Sequence, residues 1–287
     1  MKTEEEIKKE AERLGKTTSP SLIVLTALSV LAYSANLYFF HIGVYGFIVF
    51  SLLSMITLYN VFGAMHDGVH GTLFPANQKI NDWASIALGI MINVHFKSWK
   101  PVHIIHHMNT NTKVDPEHLL SENRNKRAVV GTIAIYSFAR IFVAMPKKLR
   151  NAICKVSTKR AKIFLYLFKK NQSQARFYSA TLAVVFASVL IFGIDSPLLW
   201  WYISTYVASI VIVPLTQWIP HSGNFDKKSI IENRFMVAQN YCFPLVIARQ
   251  HLTHHLYPTV QVTRLGKFTK SIDWFIMEKQ GEGNGIG

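Results

Sequence analysis

Histidine is the residue type whose number and spacing could do chemistry. The chain has 12 in 287 residues, roughly twice an average share. His66 and His70 stand four apart. His103, His106 and His107 follow the spacing i, i+3, i+4, and His251, His254 and His255 repeat it about 150 residues later. On a helix these spacings bring the imidazoles of each element to one face. Gln217-Trp-Ile-Pro-His221 adds a further histidine. At a background of roughly 2% histidine, HxxHH arises about once in 100,000 windows, and here it occurs twice. His41, His95 and His118 stand alone and read as ordinary hydrogen-bonded residues.

A single zinc takes three or four ligands, so eight or nine imidazoles are enough for two metals with open positions. The HExxH pattern of zinc peptidases, with its general-base Glu, is absent. Haem in a membrane bundle would want paired histidines inside the apolar helices, and these lie beyond them. An imidazole-rich, non-haem site suits iron. No nucleophile or acid–base pair is evident beside it, so dioxygen chemistry on a lipophilic substrate is the expectation.

The elements that must position these residues are membrane helices. Half of the residues are hydrophobic, 16% are charged and the mean hydropathy is +0.20, whereas a soluble domain carries about a quarter charged residues. Four segments approach the roughly 20 apolar residues needed to span a bilayer: 21–40, 43–63, 177–194 and 197–218. None contains Lys or Arg. Trp200 and Trp201 mark one end of the last and Trp218 the other, with Pro214 placed to bend it. The short connections at 41–42 and 195–197 also lack Lys and Arg. The net charge of +15 therefore sits in the N-terminus, in 64–176 and after Trp218, which the positive-inside rule assigns to the cytosol. The expected architecture is an all-α membrane protein. Its four transmembrane helices form two hairpins, and a cytosolic helical cap carries the histidines. A nucleic-acid binder is excluded by the uncharged runs.

Residues 1–20 read as a charged cytosolic leader, with Thr3 and Glu6 forming a capping box and Glu4–Lys8 and Glu5–Lys9 as i,i+4 pairs on a helix ending near Gly15. Residues 21–264 form the membrane domain, and 265–287 a C-terminal tail. The run 83–94 is too short to cross. The run 129–145 contains Arg140, and a crossing there would export the block 147–176, with ten Lys/Arg and no Asp/Glu. Both runs are expected to lie on the cytosolic surface. The block itself reads as a face attracted to anionic lipid or to an acidic electron donor. Cys154 and Cys242 give no disulfide framework.

The chain resembles the integral-membrane fatty acid desaturase/hydroxylase superfamily, whose pattern is HxxxH or HxxxxH followed by two HxxHH boxes. The resemblance runs from about Ser21 to about Arg264. His66-Asp67-Gly68-Val69-His70 is similar to the first box of acyl-lipid desaturases and carotenoid ketolases. His106-His107-Met-Asn-Thr-Asn-Thr with Asp115-Pro116 is similar to the second box and its trailing motif, and Leu256-Tyr257-Pro258 follows the third as it usually does. The resemblance implies a di-iron centre held by His66, His70, His103, His106, His107, His251, His254 and His255, with His221 as the match for a ninth ligand from the last span. Acyl-CoA desaturases have an Asn where Gln217 stands, which helps hold a metal-bound water, so the resemblance implies a similar place for Gln217 with Gln in place of Asn. Asp67 is a candidate for orienting a box histidine through its second ring nitrogen, with a helix-capping or solvent-facing role as the alternative.

The implied reaction is desaturation of an acyl chain with O2 and two electrons. Hydroxylation or ketone formation on a lipid, sterol or carotenoid is the alternative on the same scaffold, and the residues 109–112 with Asp115-Pro116 favour the first. A non-enzymatic metal carrier would need polar or ionisable residues forming a pathway through the spans, and none is apparent. Without a haem, Cys-rich or flavin motif, electrons are expected from a separate ferredoxin- or cytochrome b5-type donor. A bacterial inner membrane is the expected location ahead of the endoplasmic reticulum.

Overall fold

The computed structural model describes residues 2–112, 115, 145, 172–213, 216, 221 and 250–284. Among these the regular structure is helical, without strands. Helix α1 (Glu4–Gly15) opens with the expected capping box, Thr3 and Glu6 bonding reciprocally. Ser19 caps α2 (Pro20–His41), which also has Pro at its first position. Helix α3 (Phe47–Val69) starts four residues later than the expected second span and runs on into the first histidine element. Helices α4 (Gln78–Met91) and α5 (Phe96–Met108) follow. Next come α6 (Gln172–Phe192), a single 3-10 turn at Gly193–Asp195, and α7 (Pro197–Val213). The turn is possible because Gly193 takes φ +63°, the left-handed region closed to most side chains. Helices α8 (His251–Leu256) and α9 (Val262–Asn284) end the described chain.

Among the described residues, three helices are long and apolar enough to cross a membrane: Pro20–His41, Phe47–Val69 and Ser173–Asp195. The fourth expected span is described as the 17 residues of α7; Pro214, Gln217 and Trp218 lie outside the described residues. So do the run 129–145 (Met145 apart), the block 147–176 up to residue 171, and both cysteines.

Helix α3 is central and packs on α2, α4 and α7. Leu31, Ile48, Leu52, Leu190 and Ile191 point outward, Ile48 being 75% exposed. Such apolar surface is stable only against lipid or another apolar partner. Inside, the spans do carry polar groups, contrary to the expectation. Asn36 on α2 donates to Phe50 O (3.1 Å) and Ser54 Oγ (2.9 Å) on α3, and Tyr33 pairs with Ser204 Oγ on α7 at 2.6 Å. They form no pathway. They join helices, where each such bond contributes about 0.6 kcal/mol.

A second, smaller core lies beyond the spans. Ile7 and Ala11 of α1 are buried with Leu252, Val260, Leu265, Phe268, Ile272 and Ile276. The leader is thus half of a packed pair, and the expected tail from 265 is the body of α9. The apolar stripe on α1 is only Ile7, Ala11 and Leu14, too short to stand out among the charges of that segment.

Candidate metal centre

The first histidine element sits where α3 ends. Gly68 between His66 and His70 is there for contact: a Cβ on it would fall 1.8 Å from Ser85 Oγ of α4. The close approach is tied by Asn81 Nδ2 donating to Gly68 O at 2.8 Å. Helix α5 carries His103, His106 and His107, all buried, and Trp99 one turn earlier stacks on His103 with ring centroids 4.7 Å apart. Helix α8 has only six residues, all of the third box and its Leu256, and leans on α9 through Leu252 and a Thr269–Thr253 hydroxyl bond of 3.0 Å.

Polar bonds fasten the first element to the segment after the third. Asp67 accepts from Val262 N–H with its two oxygens at 3.0 and 3.3 Å, capping the start of α9. Gln261 Nε2 donates to Thr72 O (2.7 Å) and Thr17 O (2.9 Å), and Arg264 Nη1 to Leu14 O and Thr17 O. Asp67 therefore holds a helix start, in place of the expected bond to a box histidine.

Nine histidines meet in two adjoining groups. The first is His66, His70, His103, His107 and His254; the second contains His106, His221 and His255. Within each, one ligand atom per residue lies within 4.8 Å of the others. His251 joins the second, its Nε2 being 2.8 Å from His221 Nε2 and 3.1 Å from His255 Nε2. Each HxxHH element serves both groups, with its i and i+4 residues in one and its i+3 residue in the other. Residue i+4 is rotated about 40° from i and residue i+3 about 60° the other way, so the two neighbouring imidazoles diverge by about 100°.

The rings are oriented from behind. His106 Nδ1 donates to both oxygens of Asp115, at 2.9 and 3.0 Å. His221 Nδ1 donates to Asn111 Oδ1 at 3.1 Å. Thr110 Oγ1 gives its proton to His106 O (2.9 Å) and so accepts from His255 Nδ1 at 3.0 Å. A proton on Nδ1 leaves Nε2 bare, and the Nε2 atoms of His221 and His255 both face His251 Nε2. One proton on His251 could satisfy only one of those contacts. In the first group His107 Nε2 lies 3.0 Å from His103 Nε2 and 3.1 Å from His254 Nε2, and the buried His66 Nδ1 and His70 Nε2 have no hydrogen-bond partner among the described residues. Converging lone pairs at this spacing suit a cation: metal–nitrogen bonds of ~2.1 Å at right angles put their ligands about 3 Å apart.

Burial, and after it the neighbouring imidazoles, hold His103, His107, His221, His254 and His255 well below the usual histidine range. Burial also takes His251 down to about 3. These six imidazoles are therefore neutral at physiological pH, the form that binds metal.

Of the isolated histidines, His41 is exposed at the opposite end of the spans. His95 caps α5 and bonds Ser98 Oγ. His118 and Gln217 lie outside the described residues. Thr110, Asn111 and Asp115 belong to the motif that trails the second box. Their signal was that motif, which names residues without saying what they touch. Trp99 was missed altogether, although it stands four residues before His103.

Among curated proteins no sequence matches the chain. The fatty acid desaturase family model matches residues 22–281, a stretch that holds all nine histidines, the helices long enough to span a membrane and nearly all of α9. With the paired histidine groups at the end of an apolar bundle, that match places the chain in the fatty acid desaturase family.

Proposed function

We propose that the protein is an integral-membrane di-iron desaturase that introduces a double bond into the acyl chain of a lipid. The observation that carries this is the pair of adjoining, mostly buried histidine groups at the end of apolar helices, in a chain of this family. His66, His70, His103, His107 and His254 would hold one iron, and His106, His221, His251 and His255 the other. Iron bound there would supply the reduction of dioxygen and the removal of hydrogen from unactivated methylenes. The balance takes two hydrogens from adjacent methylenes and two electrons and two protons from outside, turning one O2 into two waters. The chain itself keeps its imidazoles deprotonated, fixes their orientation and excludes water by burial.

In this reading α2, α3, α6 and the helix that begins as α7 form two hairpins in the membrane, with both termini and the histidines on the cytosolic side. The outward face of α4, with Ile80, Trp83 and Ile90 exposed, rests in the interface. Electrons come from a donor protein of ferredoxin or cytochrome b5 type.

The test is mass spectrometry of total lipids from cells expressing the chain, beside cells expressing His107→Ala. A species lighter by two hydrogens, absent with the variant, is the expected result and identifies the acyl chain. A species heavier by one oxygen replaces desaturation with hydroxylation. Identical lipids from the two, with the electron donor co-expressed, overturn the reading.

A further inference from the structure

Among the described residues, the outer nitrogens of His106, His221 and His255 find their partners on one short segment just past α5. Thr110 and Asn111 are fully buried and Asp115 nearly so. Asn111 has φ +60°, a conformation that non-glycine residues adopt at a cost and Asn tolerates best. That conformation lets its backbone N–H reach Asp115 Oδ2 (3.0 Å) while its side chain reaches His221. One carboxylate thus serves both a box histidine and the turn that holds a second histidine.

We propose that Thr110, Asn111 and Asp115 are positioning residues for one metal position alone, the one held by His106, His221, His251 and His255. The proposal rests on the di-iron reading above. Hydrogen-bonded partners of metal-ligating histidines fix the ring and raise its basicity, and losing one costs about 10–100-fold in metal affinity. All three partners found here bear on one position, so damage to this segment should empty that position and spare the other.

The experiment counts iron. Purified full-length protein is loaded anaerobically with ⁵⁷Fe(II), and bound iron per chain is measured by mass spectrometry and Mössbauer spectroscopy. The unaltered chain should bind two irons. Asp115→Ala, Thr110→Val and Asn111→Gly, which keeps the left-handed backbone, should each weaken one iron about 10–100-fold and leave the other's spectrum unchanged. Asp115→Asn keeps an acceptor without the charge and should fall between. Circular dichroism of each variant shows whether the helices persist. Variants that keep their helices and lose both irons together, or neither, overturn the proposal. An unaltered chain binding fewer than two irons overturns the di-iron reading and this proposal with it, and is told apart because no variant is involved.

Discussion

The first histidine group stands almost wholly on α3 and α5, whereas the second takes one residue from α5 and the rest from beyond α7 and from the six-residue α8. His66 and His70 close α3, and His103 and His107 lie one turn apart on α5, so four of five members share a face set by helix geometry. In the second, His106 comes from α5, His221 from beyond α7, and His251 and His255 from the six-residue α8. A helix of that length has no stability of its own. The comparison teaches that one group is framed by the membrane bundle, and the other by loop hydrogen bonds and the small core of α1, α8 and α9.

The bluntest way to break the comparison is to remove a histidine from each group. His107→Ala and His255→Ala should both lower lipid product by more than about 100-fold, since losing a ligand exceeds the loss of an outer partner. Activity alone therefore cannot separate the groups, although bound iron can. A variant retaining more than a tenth of the product in the lipid assay would remove that histidine from the site.

Chelation should sharpen the difference next. Stripping metal should leave the spans helical, because Tyr33–Ser204 and Asn36–Ser54 join them without it. Amide exchange should rise instead at 251–256 and 110–112, where few other contacts fix the backbone. Equal protection of α8 with and without metal would show that its packing on α9 suffices.

Gly68→Ala tests the frame of the first group. The added methyl would overlap Ser85 Oγ at 1.8 Å and Ser85 Cβ at 2.8 Å, so α3 and α4 must part. Overpacking of this kind costs about 1–3 kcal/mol. Thermal unfolding in detergent should record the loss, and adding Ser85→Gly should restore most of it. Without that recovery, the glycine matters for something other than this contact.

These regions were not equally legible. The histidine spacings, the capping box at Thr3 and the apolar lengths of α2, α3 and α6 could be read directly, because each is a local pattern with a helical period. Which imidazole joins which group could not. It depends on the 100° between residues i+3 and i+4 and on where α5 and α8 point, which is set by tertiary packing. Asp67 was misplaced for a similar reason. Its neighbour in sequence is His66, but its partner Val262 is 195 residues away. The burial of α1 was hidden because Ile7 and Ala11 are outnumbered by Glu and Lys on the same two turns.

Asp67→Ala has the smallest effect of these and tests how the two halves are joined. Asp67 accepts one backbone N–H at the start of α9, and leaving a buried donor without its partner costs about 1–3 kcal/mol. Gln261 and Arg264 hold the same junction through Thr72, Thr17 and Leu14, so the measured loss should lie at the lower end, about 1 kcal/mol. Asp67→Asn, which keeps an acceptor, should lose less. If Asp67 acts only through α9, both variants keep two irons with unaltered spectra while their unfolding temperatures fall. A change in the signal of one iron at unchanged stability would instead return Asp67 to the histidines beside it, and the first group would then have an outer carboxylate as the second has in Asp115.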